Sequence, residues 1–360
     1  MNTTIGIESL PAPLRSSAQL RQLFEHGLAD MLEADVLGAF VLVLANACYE
    51  QAMFERLRQP LRVAFERWCR RFDEGDAHAV DAAIDDVTVF RAVRAAGFDA
   101  LGVTDWRRVG PWQLQFNALR ALRPARASAA RISGLQRAFD ADGFHFNKPF
   151  LRREVLWEGA FAGTALRLLY NKFPFAELHG LLVPDPGACL PQFLTHRYHA
   201  LAWRLLEQCS EALPGAGLAY NALGAQASVN HLHFQLFVRG DDRYPIEAAE
   251  WQHNGGEQIY PVPVGRFTDA ELAWATLSRL HELQQPYNLI YRPGVLYVVL
   301  RAAQGTVAAA DWSMGFAWAE LAGAITLSDA QVFATIGNDD VTTQMACHAA
   351  HDEAKAALRL

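Results

Sequence analysis

The stretch "NHLHFQLFV" at residues 230–238 constrains this chain more than any other. His231, His233 and Gln235 alternate with Leu232, Phe234 and Leu236. An extended backbone sends alternate side chains to opposite faces, so this spacing predicts a strand with one polar and one apolar face. One histidine in such a run reads as a hydrogen-bonded core residue. Two in register with an amide ask for a different account, because each polar group buried without a partner costs about 1–3 kcal/mol.

The rest of the chain predicts an α+β fold with mostly antiparallel pairing. "ALRLLYNKFPFAELHGLLVP" (165–184) reads as two short strands around a polar turn, and "PYNLIYRPGVLYVVLRA" (286–302) as strand, Pro-Gly turn, strand. Between them, Leu201, Leu205, Cys209 and Leu213 recur every fourth residue and predict a helix over about 192–213. "FAWAELAGAITL" (316–327) fits either element, and "SDAQVFATI" reads as a capped helix start. Residues 17–72 carry helical periodicity, with Pro60 expected to break it. Within this part, "VLGAFVLVLANA" (36–47) is too short to span a bilayer and reads as a buried helix.

Composition narrows the function classes. The 360 residues are 51% hydrophobic and 20% charged, the balance of a globular protein with a large core. A net charge of −7 argues against nucleic acid as partner, which needs a basic footprint. One local run departs from that balance: "GPWQLQFNALRALRPARASAARIS" (110–133) carries Arg120, Arg123, Arg126 and Arg131 and no acid. It reads either as a basic surface loop or as a place to hold an anionic ligand. The five scattered cysteines form no CxxC pair, and the first residues lack a basic start followed by an apolar core. Together these predict a cytoplasmic protein with reduced thiols and no membrane partner.

A neutral imidazole is a good nucleophile toward phosphorus, and an ordinary pKa near 6.5 leaves it largely neutral at pH 7. A phosphoryl or nucleotidyl group can then be transferred in two displacements through a covalent histidine intermediate. His231, Gln235 and the small-residue turn 221–228 are placed to orient the ring and donate to phosphoryl oxygens. Zinc is the competing reading. His-x-His on a strand needs a third ligand, which Cys347, His348 or His351 could supply only if the fold brought them there. A serine hydrolase is excluded by the lack of a GxSxG elbow.

"AYNALGAQASVNHLHFQLFV" resembles the active-site turn and strand of the histidine-triad superfamily, and its His-x-His-x-Gln form resembles the transferase branch. "WQLQFNALRALRPARAS", "FDADGFHFNKP", "NKFPFAELHGLLVPDPGACLPQ", "YPIEAAEW" and "PYNLIYRPGVLYVVLR" follow in the order seen in the GDP-L-galactose and GDP-D-glucose phosphorylases. Diadenosine tetraphosphate phosphorylase and galactose-1-phosphate uridylyltransferase are more distant members of that branch. The likeness spans roughly residues 106–335.

Helical periodicity makes 1–105 a helical N-terminal region, and the resemblance implies that a nucleotidyltransferase domain with an antiparallel sheet and packed helices follows at 106–360. The resemblance makes His233 the nucleophile, His231 its orienting neighbour and Gln235 a donor to the phosphoryl oxygen. Asn171, His179, Asn221, Ser228, Arg120, Arg123 and Arg126 take nucleotide- and phosphate-binding positions. Substrates would be an NDP-sugar, a GDP-hexose first, and inorganic phosphate, with no cofactor required, and a homodimer is compatible with it. The family's turn often carries serine where this chain has Ala222, and "NALRALRPAR" replaces a more usual Asn-x-Gly-Arg, so sugar and phosphate contacts differ. Two alternatives remain open: the same chemistry on a dinucleoside polyphosphate or another nucleotide-activated metabolite, and a nucleotide-binding protein without turnover.

Overall fold

The computed structural model describes residues 10–75, 83–122, 132, 134–239, 243–313, 315–351 and 355–358. Arg123 and Arg126 lie outside them.

The fold is α+β. Three helices come first: α1 (Ser17–Glu33), α2 (Leu37–Ala47) and α3 (Gln51–Glu74). Helix α2 is the apolar 36–47 run, buried along almost its whole length. Pro60 does not end the helical region but sits inside α3. Its position is exposed, and α3 buries Met53, Phe54, Leu57, Leu61, Ala64 and Trp68 on one stripe. That packing outweighs the roughly 3 kcal/mol a helix-interior proline costs. The helix stops at Gly75, whose φ of +69° is the left-handed cap that glycine supplies cheaply. Helix α4 (Ile84–Ala96) follows.

Two sheets carry the remainder. The small one orders β1 (Asp105–Val109), β2 (Trp112–Phe116) and β11 (Ala324–Leu327), with β11 parallel to β2. The start of the basic run is therefore a buried central strand and not a surface loop. The large sheet uses β3 (Val155–Phe161), β4 (Thr164–Tyr170), β5 (Gly180–Pro184), β6 (Ala216–Asn221), β7 (Phe234–Val238), β8 (Val264–Phe267), β9 (Tyr287–Arg292) and β10 (Val295–Leu300). Its order is β3-β4-β5-β7-β6-β9-β10-β8, with every neighbouring pair antiparallel. The Pro-Gly turn joins β9 to β10 with Gly294 at φ +68°. The ambiguous segment 316–327 is both elements in succession, a single helical turn Trp318–Leu321 and then β11.

Alternation along the strands decides the layers. Leu232, Phe234, Leu236 and Val238 join a core with α1–α3, α5 (His196–Cys209) and α6 (Ala270–Glu282). On the other face Ala219, Phe237, Ile290 and Val299 pack against Trp112, Tyr244, Trp318 and Ile325. A third cluster places Phe146 and Leu151 with Leu169, Val183 and Val229. The polar side chains of the 231–235 run emerge between the last two clusters.

The second layer is tied to the sheet by a buried ion pair. Both oxygens of Glu247 take the Arg292 guanidinium, which also donates to the carbonyls of Gly215 (2.5 Å) and Ala216 (3.3 Å). Glu247→Ala strands this cation, and we expect a stability loss of about 3–5 kcal/mol by urea denaturation. A loss under about 1 kcal/mol would mean that water replaces the carboxylate.

Candidate active site

The histidines are not in the hydrogen-bonded ladder. Strand β7 begins at Phe234, because β6 ends at Asn221 and the chain then departs into the 222–230 turn. His231 and His233 nevertheless keep the alternation of the strand. Gln192, fully buried, explains how. Its Oε1 accepts from the His233 backbone N–H (2.9 Å), and its Nε2 donates to the carbonyls of Asn221 (2.9 Å) and His233 (3.3 Å). A side-chain amide stands where the missing strand would have paired.

Groups that have no choice of role decide the ring tautomers. The His231 carbonyl can only accept, so His233 Nδ1, 2.8 Å away, carries the proton. His233 Nε2 is left with a lone pair, and no other described residue bonds to it. The Phe146 backbone N–H can only donate, so His231 Nδ1 accepts it (3.1 Å) and His231 Nε2 carries the proton. That Nε2–H is buried and has no hydrogen-bond partner among the described residues. Gln235 Oε1 accepts from Trp318 Nε1 (2.9 Å) and His179 Nε2 (3.0 Å), which directs its amide nitrogen away from both donors. The site therefore holds one lone pair on His233, with an unpartnered N–H on His231 two residues before it and an amide on Gln235 two residues after it.

Burial sets the protonation. It lowers His233 to about 4 against its backbone hydrogen bond, and lowers His231 to about 4 with help from His233, His145 and Arg167. His179 falls to about 3, again through burial. All three are neutral at pH 7, as a nitrogen nucleophile requires.

The segment 137–148 covers His231. Phe139 and Phe146 place their rings 5.3 and 5.5 Å from the imidazole, and Phe146 stands edge-on to His233 at 5.0 Å. Asn230 Nδ2 donates to the Ala138 carbonyl (2.7 Å), and Arg167 Nη1 to the Phe146 carbonyl (3.2 Å), holding both ends.

The other positions singled out from the sequence divide into two groups. Asn171 begins the 171–179 turn, where its Oδ1 accepts from Phe173 N (3.2 Å). Asn46 of α2 donates to the Asn171 carbonyl (3.1 Å), so the N-terminal helices touch this turn. His179 is buried behind Gln235. Arg120 braces the same turn: Nη1 donates to the Phe173 carbonyl (2.7 Å) and the guanidinium lies 4.8 Å from the Phe175 ring centre. Asn221 is buried, its Oδ1 accepting from Asn288 Nδ2 (2.6 Å) and Trp318 N (3.3 Å). Ser228 is exposed, on the turn that carries Gln226 at φ +70°. His348 stacks on Phe316 (4.8 Å). Among the described residues no group of three or more His, Cys, Asp or Glu is placed to hold a metal, and no helix is long and apolar enough to cross a membrane.

Sequence reasoning missed Gln192 and Trp318. Phe146 fell within the quoted "FDADGFHFNKP" segment, but nothing there announced a backbone donor to His231.

Residues 112–237 match a family model described as GDPGP1-like, N-terminal domain, and over them the resemblance read from the histidine motif holds. The chain is 35% identical over 136 residues to GDP-D-glucose phosphorylase 1 of Danio rerio, covering 38% of this chain and 38% of that protein. It is 39% identical over 79 residues to GDP-L-galactose phosphorylase 2 of Arabidopsis thaliana, covering 22% of this chain and 18% of that protein. The matches thus span well under half the length of these relatives. Among solved structures, yeast Ap4A phosphorylase aligns over 74% of this chain and 95% of its own, with TM-score 0.49 and 16% identity.

The buried histidines make stability depend on pH with a definite sign. Their folded pKa values lie below the ordinary 6.5, so between about pH 6.5 and 4 the unfolded chain binds more protons. Stability is full above about pH 6.5 and falls as the pH drops towards 4. The melting temperature should decline steadily from pH 7 to pH 5, and a flat profile would contradict the burial.

Proposed function

We propose that this chain is a nucleotidyltransferase of the phosphorylase type, acting on an NDP-sugar, with a GDP-hexose as the first candidate. The observation that carries this reading is the lone pair on His233 Nε2, set there by the His231 carbonyl on a run whose neighbours at two-residue spacing, His231 and Gln235, each keep an N–H to donate. The names of the relatives support the GDP-hexose.

In the first step the Nε2 lone pair attacks the α-phosphorus. The Nε2–P bond forms, the bond to the bridging oxygen breaks, and hexose 1-phosphate leaves with that electron pair. The ring becomes cationic, and its Nδ1–H bond to the His231 carbonyl strengthens accordingly. The His231 Nε2–H and the Gln235 amide donate to the phosphoryl oxygens where charge accumulates. In the second step an oxygen of inorganic phosphate attacks the same phosphorus, NDP leaves, and Nε2 recovers its lone pair. Two displacements at one nitrogen give ping-pong kinetics. Asn171 and Ser228 border the nucleotide, and Arg120 contributes through the turn it braces.

Gln235 favours phosphate over water as acceptor. An amide donates but is no base, so it cannot activate water.

The test is incubation with labelled GDP-hexoses, other NDP-sugars and dinucleoside polyphosphates, with and without phosphate. A GDP-hexose and phosphate should give hexose 1-phosphate and GDP, and without phosphate a nucleotidyl adduct should accumulate on His233. His233→Ala should lose activity by about a thousandfold or more while remaining folded. Rapid release of nucleoside monophosphate, unchanged by phosphate, would make the protein a hydrolase. Binding with no turnover of any substrate would make it a nucleotide-binding protein.

A further inference from the structure

The motif residue Gln235 has an amide that two-fold rotation about its last bond would present in either of two ways. With nitrogen toward the site it donates to a phosphoryl oxygen; with oxygen toward the site it repels one. Two groups outside the motif select between them, His179 and, beyond the matched residues 112–237, Trp318. The Phe175 backbone N–H occupies His179 Nδ1 (3.3 Å) and leaves the proton on Nε2, which faces Oε1. The indole of Trp318 has no second tautomer: its Nε1–H can only donate, and at 2.9 Å it requires an oxygen opposite.

We propose that Trp318 is a positioning residue for the transfer, which holds the Gln235 amide with its NH2 toward the phosphoryl group. The indole is well held for that task. It is fully buried, stacked on Phe237 with ring centres 4.9 Å apart and planes at 18°, and meets Tyr244 edge-on at 5.4 Å. Its own backbone N–H donates to Asn221 Oδ1 (3.3 Å), and the Asn221 carbonyl accepts from Gln192, which grips His233. One tryptophan is therefore bonded directly to the donor side chain and, through two residues, to the nucleophile. Position 235 consequently offers the site only N–H groups, which fit a non-bridging phosphoryl oxygen and give no base for water.

This inference rests on the nucleotidyl-transfer reading, so its test includes a readout that does not. Trp318→Phe keeps an aromatic ring on Phe237 and Tyr244 but removes the N–H. On the substrate turned over by the wild type, kcat should fall about tenfold with KM changed less than about twofold, and hydrolysis should rise relative to phosphorolysis. In a Gln235→Ala background the same substitution should cost less than about twofold more, because the group it positions is gone. A purely structural role would add its full loss in both backgrounds. Independently of activity, one of the nine indole N–H signals in a ¹H–¹⁵N spectrum should move in Gln235→Ala and again in Gln235→Glu, and the same signal should be absent in Trp318→Phe. That spectrum also serves if Trp318→Phe does not fold. Additive kinetic losses, or indole signals unmoved by both changes at Gln235, would overturn the proposal. An inactive wild type with a displaced indole signal would fault the transfer reading instead.

Discussion

The hydrogen bond from His233 Nδ1 to the His231 carbonyl is the contact on which the rest of the site depends. A carbonyl cannot exchange roles, so it sets which nitrogen is protonated and which carries the lone pair. It can do so only while the backbone at 231–233 stays extended without a strand beside it. Gln192 supplies that support from 41 residues away, and the Phe139–Phe146 cover keeps water from solvating the rings. Burial then keeps both histidines uncharged at neutral pH. Geometry and protonation have a common origin in the packing between the Trp318 layer and the Phe146 cluster.

Much of this arrangement was legible in the sequence because it rests on local periodicity. The two-residue spacing at 231–235 gave the shared polar face, the Pro-Gly turn gave the β9–β10 hairpin, and four-residue spacing gave α5. What stayed hidden was non-local. A glutamine that replaces a strand looks like any polar residue in "LPQFL", and an indole 83 residues from its acceptor looks like core. Pro60 misled for the related reason that helix α3 is set by the face it buries and not by a single residue's preference. The start of the basic run misled too, since charge at 120–131 says nothing of the buried strand at 112–116.

The N-terminal helices are tied to the candidate site at one turn. Asn46 bonds the Asn171 carbonyl, and Phe24, Tyr49 and Met53 line a groove with Pro174 and His179. Arg120 reaches the same turn from the other side. The turn that leads into β5 is thus fixed by parts of the chain on both sides of it, and its last residue, His179, is one of the two groups holding Gln235.

The central claim, that His233 is a neutral imidazole protonated at Nδ1, is tested most directly by ¹⁵N NMR of the histidine-labelled protein, with His233 assigned by substitution. The account predicts an Nδ1–H tautomer from pH 7.5 down to about pH 5, with Nε2 showing the shift of an unprotonated nitrogen. An Nε2–H tautomer, or an imidazolium at pH 7, would contradict it.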